Sequence, residues 1–335
     1  MSKVSIREIS RRTGFSPATV SNALNNRPGV GSQNAAAIIR TARELGYYYV
    51  KKLKRIQFVI ARQSGRMIDE GSFRLAVING IECEAKRHGL STSYVTIELT
   101  DTVSRRRQAT SIISDTASGV ILLGTEMLEK DYQLFSGTKQ PLVVVDGKSD
   151  NMFFETIVFS NEGSAYHAVN HLIKNGHRKI GYLAGGLRIR NFPIRERGYR
   201  RALEDAGIPV RDCYKVLLGT EKPETAANDM LAWLDTNPEL PTAFFADNDA
   251  LAVGAMSALG NKGYSVPDDI SMVGFDDVEY AAIARPPLTT IHVPRFEIGR
   301  MAVQRLIAQT ESQKPFTCVT HVSTSLVERE SVRSV

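Results

Sequence analysis

Polar residues suited to holding a ligand stand directly after short apolar runs in this chain. Asp146 closes Leu142-Val143-Val144-Val145, Asp247-Asn248-Asp249 follow Phe244-Phe245-Ala246, and Asp276-Asp277 follow Met272-Val273-Gly274-Phe275. Arg188, Arg190 and Arg195 come soon after the run 180–186. Open α/β sheets bind ligands outside the carboxyl ends of their strands, so the pattern predicts a polar cleft. Carboxylates, an amide and a guanidinium supply the acceptors and forked donors that vicinal hydroxyls need. Any one of them, Asn248 and Asp277 above all, also suits a helix cap or a turn.

Other chemistries find no footing. The chain has no GxSxG and no GxxxxGK[ST], and Gly185-Gly186 lacks the spacing of a dinucleotide turn. His167 and His171 are four apart without the HExxH glutamate, and Cys83, Cys213 and Cys318 are isolated. No metal, cofactor, disulfide framework or catalytic residue is therefore expected, and isolated thiols fit a reducing cytoplasm. An enzyme would need a nucleophile or an acid–base pair that the sequence does not offer. No apolar run approaches membrane-spanning length and the N-terminus carries no apolar leader, which speaks against a membrane protein and against a secreted solute receptor.

The elements that must position the polar residues alternate along the chain. Strands are predicted at 56–61, 92–97, 120–124 and 142–146, with helices at 73–88, 103–115 and 127–135 between them. A second series places strands at 179–184, 214–218, 243–246 and 270–275, and helices at 162–175, 194–206, 224–234 and 248–262. This is the signature of βαβ units, and it predicts α/β architecture with two parallel-sheet subdomains of three layers each. At 335 residues and 42% hydrophobic content the chain fills more than one core.

The first 46 residues read differently. Ser5 with Glu8 has the capping-box pattern, Ile6 and Ile9 share a face, and Gly14-Phe15 turns the chain before Ser16-Pro17, a cap followed by the proline favoured at a first helical position. In the second helix Val20, Ala23 and Leu24 face inward, leaving Pro17, Ala18, Ser21, Asn22 and Asn25 outward. A third helix spans 32–45. Small polar residues on the second of two crossed helices suit a DNA major groove. Residues 1–55 hold 11 Lys and Arg against Glu8 and Glu44, a net of +9 in a chain whose total is +6, so the remaining 280 residues sum to −3. The basic excess lies wholly in this all-α module, as phosphate binding requires.

On these residues the chain resembles the LacI/GalR family of bacterial regulators. The likeness rests on Gly14-Phe15-Ser16-Pro17-Ala18-Thr19-Val20-Ser21, on Asn25 and on Leu45-Gly46-Tyr47, and it continues to the C-terminus. The resemblance implies a helix-turn-helix head at 1–46, a short hinge at 47–55 and a periplasmic-binding-protein-like regulatory domain at 56–335. That domain would divide into about 56–160 with 292–335 and 161–290, the chain crossing near 158–162 and 288–294 and the tail after Phe316 completing the first subdomain. It further implies a homodimeric repressor on a palindromic double-stranded operator, controlled by a small effector, a sugar or glycoside first and a purine or other corepressor as the alternative. Contacts to DNA would come from Ser5, Ser16, Pro17, Ala18, Thr19, Ser21, Asn22, Asn25, Asn34 and, as a minor-groove wedge, Leu53. Effector contacts would come from Phe73, Asp146, Arg195, Glu221, Asn248 and Asp276.

Two departures stand out against the family pattern. The usual aromatic residue of the Gly-x-aromatic-x-Pro-Glu segment is replaced in Gly219-Thr220-Glu221-Lys222-Pro223-Glu224, so a stacking ring must come from Phe73, Phe154 or Phe192. The hinge from Tyr47-Tyr48-Tyr49 through Lys51-Lys52-Leu53-Lys54-Arg55 is short. Asn22 gives the sharpest expectation, because an amide pairs with adenine where the arginine of many relatives suits guanine. Asn22→Arg should shift operator preference toward G·C at one position per half-site, read by in vitro selection with both proteins.

Overall fold

The computed structural model describes residues 5–24, 28–45, 53–63, 72–115, 117–138, 140–219, 222–311 and 316–335. The chain divides into two units, Met1–Leu53 with Ile307–Pro315 and Lys54–Leu306 with Phe316–Val335, the first containing a helical head and the second an α/β body. In the head, α1 (Ile6–Thr13), α2 (Pro17–Leu24) and α3 (Ser32–Glu44) enclose Ile9, Val20, Ala23, Leu24, Ile38 and Ala42. Ser5 accepts from the Glu8 N–H at 3.3 Å, and Gly14 closes α1 in the left-handed region at φ 74°. The reciprocal half of the capping box is absent. Glu8 instead pairs with Arg11 at 2.7 Å, one turn along. Ser16 caps α2, accepting from the Thr19 N–H at 3.1 Å.

The body contains β1 (Arg55–Arg62), α4 (Ser72–Arg87), β2 (Ser91–Glu98), α5 (Thr102–Ser114), β3 (Ser118–Leu123), β4 (Leu142–Val145) and β5 (Glu155–Phe159). Then come α6 (Asn161–Lys174), β6 (Ile180–Gly185), α7 (Asn191–Asp205), β7 (Lys215–Leu218), α8 (Pro223–Asp235), β8 (Ala243–Ala246), α9 (Asp249–Asn261) and β9 (Ser271–Val273). The chain ends with α10 (Glu279–Ile283), β10 (Thr290–His292), α11 (Arg295–Glu311), β11 (Val319–Val322) and β12 (Ser325–Val327). The predicted helix at 127–135 is a 3-10 helix, Glu129–Phe135.

Two parallel sheets result, ordered β11-β5-β4-β3-β1-β2 and β7-β6-β8-β9, with β10 and β12 as an antiparallel pair. Central strands are buried on both faces, so β3 beyond Ser118, β4, β6 and β8 read as near-continuous apolar runs instead of alternating. The chain leaves the first sheet at Ser160 and returns to it through α11 and β11. The tail differs from the expectation that it completes the first subdomain. Only β11 joins that sheet, beside β5, and beyond Ser325 the chain runs back to the second, where Met272 donates to the Ser331 carbonyl and Val335 to that of Asn175. The crossings therefore number three, the last near Thr324.

Close helix crossings fix the elements that carry the polar residues. A Cβ on Gly198 of α7 would stand 2.2 Å from the Glu162 carbonyl oxygen of α6, and one on Gly254 of α9 2.4 Å from the Pro223 carbonyl of α8. Only glycine lets these backbones approach so nearly. Gly198→Ala should cost about 1–3 kcal/mol, a typical overpacking penalty, seen as a lower urea midpoint with an unchanged slope.

Candidate functional site

The predicted cleft lies where the carboxyl ends of the two sheets converge. Its walls include Phe73, Thr125 and Glu126 after β3, Asp146 after β4, Phe159 at the end of β5, Asn191, Phe192 and Arg195 on α7, Asn248 after β8 and Asp276 after β9. The strand-end expectation thus brings Phe73, Asp146, Arg195, Asn248 and Asp276 together. Glu221 lies outside the described residues. Of the aromatic candidates, Phe73 and Phe192 line the cleft, while Phe154 packs on Tyr132 in the first subdomain.

One hydrogen-bonded relay spans the cleft floor. Thr125 donates to Asp146 Oδ2 at 2.6 Å, and Asn191 Nδ2 donates to Asp146 Oδ1 at 2.7 Å, tying β4 of the first subdomain to α7 of the second. Asn161 Nδ2 donates to Asn191 Oδ1 at 3.3 Å, and Asn161 Oδ1 accepts from Arg195 Nε at 2.8 Å. Arg195 also donates to the Asp247 carbonyl and, at 3.2 Å, to Asp276 Oδ1. Its guanidinium lies 3.6 Å from the Phe275 ring centroid and is only 3% exposed. Every donor edge of that buried cation therefore meets an acceptor or a π face. Asn248 accepts from the Leu251 N–H at 3.0 Å as cap of α9, so its NH2 is what it can offer a ligand.

Backbone geometry sharpens the site. Asp146, Asp276 and Asp277 all have positive φ, at 53°, 110° and 55°. Two consecutive non-glycine residues there mark a strained turn held by its surroundings. Asp277 is the clamp: it accepts from Arg329 at 2.6 Å and meets His292 Nδ1 at 2.8 Å, while Arg295 donates to its carbonyl at 2.8 Å. Burial works against its charge, but Arg329 and His292 hold its carboxyl below the ordinary range. Sequence reasoning missed this role, along with Thr125, Glu126, Phe159 and Asn191. Thr125 and Phe159 sit at strand ends and were within reach of the same rule; Asn191 was not, being placed by the start of α7.

Burial pushes Asp146 and Asp247 up to about 6. Asp249 is the extreme case. It is fully buried, accepts from the Thr290 hydroxyl and from the Val278 N–H at 2.9 Å, and is pushed up to about 8 by burial and by the Asp276 charge. It braces the cleft from behind instead of lining it. Arg188 likewise turns away, to Asp247 and Glu196, both at 2.8 Å.

In the head, Ser16, Pro17 and Ala18 are exposed at the start of α2, Ser21 and Asn22 are half-buried further along it, and Ser5 and Asn34 are exposed on the first turns of α1 and α3. Thr19 shares a hydrogen bond with the Ser16 hydroxyl at 2.8 Å. Leu53 is half-buried. Asn25 falls outside the described residues, as do Tyr47, Tyr48 and Tyr49.

A model of the periplasmic binding protein-like domain matches residues 169–332. The repressor PurR of Actinobacillus pleuropneumoniae serotype 3 is 30% identical over 337 residues, covering 98% of each chain. The chain belongs to the LacI/GalR family. The PurR repressor of Haemophilus influenzae strain Rd is 28% identical over 98% of this chain and 99% of its own. The lac repressor dimer bound to operator and the anti-inducer ONPF superposes with a TM-score of 0.73 at 23% identity, over 99% of this chain and all of that one. A CelR–cellobiose complex gives 0.72 at 23% identity, over 98% and 100%. As a member of this LacI/GalR family the chain is a DNA-binding transcriptional regulator, its helix-turn-helix head followed by the two-subdomain α/β domain. Among the described residues no helix is long and apolar enough to cross a membrane.

The buried carboxylates give this regulator an unusual pH dependence. Asp249 has its proton in the folded state where an exposed aspartate, near 3.8, has lost it, so its contribution to stability falls as pH rises from about 4 to about 8. His171 and His177, lowered by burial, add the opposite trend only below their ordinary value of 6.5. Between pH 6.5 and 8 the full chain should therefore lose on the order of 1–2 kcal/mol, and Asp249→Asn should flatten that slope in urea titrations.

Proposed function

We propose that the protein is a dimeric repressor of a palindromic operator whose affinity is set by a neutral, hydroxyl-rich effector, a sugar or glycoside, held in the cleft between the two α/β subdomains. The observation that carries this reading is the relay itself: Asp146 from one subdomain and Asn191, Arg195 and Asp276 from the other meet through hydrogen bonds of the kind a polyol makes. The cleft volume is about 60 Å³, room for a few waters. Effector entry then requires the subdomains to part, breaking the Asn191–Asp146 bond, and a bound ligand replaces that bond with its own hydroxyls. Differential affinity for the open and closed arrangements is what lets a ligand bias DNA binding. In the head, Pro17, Ala18 and Asn22 would face base edges, Ser5, Ser16, Thr19, Ser21, Asn25 and Asn34 the phosphates, and Leu53 the minor groove.

A purine is the second reading. It draws on the likeness to repressors named PurR and on Phe73, Phe159 and Phe192, rings that give a flat base a surface to stack on. Calorimetry and thermal shift of the full chain with cellobiose, simple glucosides, hypoxanthine and guanine separate the two readings. With the binding ligand, Asp276→Ala or Arg195→Ala should weaken affinity at least tenfold, because a buried partner is left unsatisfied. Operator binding by Asp276→Ala should persist without responding to effector; a full response in that variant would remove the cleft from the proposal.

A further inference from the structure

Phe159 and Asn191 are walls of two chambers, and the second has the opposite polarity. It occupies about 300 Å³, five times the space of the effector cleft, and opens among Gly147 and Lys148 after β4, the crossing segment Val158 to Glu162, Arg190, Ile194 and Arg197 along α7, and His321 on β11. Where the effector cleft presents Glu126, Asp146 and Asp276 against Arg74 and Arg195, this chamber presents Lys148, Arg190, Arg197 and the His321 imidazole against Glu162 alone. Glu162 is already claimed by Arg197 at 3.2 Å and Arg201 at 3.1 Å.

Two further details favour an anion. The 14-residue α6 begins in the chamber wall, and its cap residue Ser160 makes no side-chain capping bond, so the wall includes a helix N-terminus, where negative charge is stabilised. The carboxylate already serving Arg190, at 3.0 Å, and Lys148, at 3.9 Å, is Asp150, a residue 62% exposed at its side chain. A solvent-facing acid yields readily to a multiply charged ligand, since an exposed ion pair is worth little.

We infer that this chamber is a second ligand site, taking a phosphoryl group, free or carried on a small metabolite, between Lys148 and His321 of the first subdomain and Arg190 and Arg197 of the second. The assignment does not depend on which effector fills the neighbouring cleft. Because the donors belong to both subdomains, a bound phosphoryl group holds them together, and its binding is coupled to the effector's with equal strength in both directions.

The test uses the full chain, with pyrophosphate and glucose 6-phosphate titrated separately by calorimetry. Saturable one-site binding is expected. Lys148→Gln and Arg197→Gln should each weaken it by roughly tenfold, the worth of one charge-assisted contact, and Asp150→Asn should tighten it several-fold. Lys148 is 43% exposed at its side chain, so its replacement leaves the fold intact, as circular dichroism and melting would verify. Preference for glucose 6-phosphate over pyrophosphate marks a carried phosphoryl group; the reverse marks a free one. Equal affinity in wild type and all three variants would place the binding on the basic head and overturn the inference. So would no binding of either anion, or binding abolished by Asp276→Ala but untouched by Lys148→Gln, which would assign the anion to the effector cleft.

Discussion

Arg195 is the interaction on which the rest of the regulatory domain depends. A guanidinium taken out of water is tolerated only when its donors are met, and the acceptors here come from four places that sequence separates widely: Asn161 at the first crossing, the Asp247 carbonyl after β8, Asp276 after β9, and the Phe275 face. Satisfying that one cation ties α7 to the start of α6 and to the ends of β8 and β9 within the second subdomain. It also explains why Asp276 sits at φ 110°, since the strained turn is what turns its carboxylate toward Arg195.

The same economy of charge organises the surroundings. Asp146, Asp247 and Asp249 are buried at strand ends, each fully provided with donors, and each is raised because burial outweighs those donors. Asp277 is lowered instead, since Arg329 and His292 hydrogen-bond it directly. Neighbouring carboxylates therefore divide into a group that tolerates neutrality and one fixed as an anion. Of the former, Asp146 lines the cleft, whereas Asp247, Asp249 and Asp277 belong to the scaffold.

Much of this was legible in the sequence, for reasons that differ by element. Buried parallel strands read as continuous apolar runs, so β3, β4, β6 and β8 and the polar residues that follow them could be placed directly. The head was legible through cap and turn chemistry at Ser5, Gly14 and Ser16. What escaped was whatever tertiary context decides. The strand β5 opens with Glu155, a residue that reads as surface until Arg305 at 2.6 Å and the Cys318 N–H at 3.1 Å satisfy it in the interior. The helix α11, with charged residues spread around it, shows no simple amphipathic stripe, and its Arg295 is buried by its bond to the Asp277 carbonyl. The strands β10 and β12 are three residues each, too short for any periodicity.

The aromatic residue of the family pattern at 219–224 is replaced in this chain, and the cleft has its rings from elsewhere. Three phenyl rings converge on the cleft from other elements: Phe73 on α4, Phe159 on β5 and Phe192 on α7. Phe73 and Phe159 stand 6.1 Å apart, and Phe159 and Phe275 6.3 Å, so the rings form one continuous aromatic surface running from the cleft wall to the underside of Arg195. Phe159 is also the residue at which the first sheet hands the chain to the second subdomain. A ligand stacked on that surface touches the crossing itself, and the position of the crossing decides how far the two sheets can separate. A ring on the crossing strand places the cleft wall and the subdomain boundary on the same side chain, so a ligand with different affinity for the open and closed arrangements would act on both at once.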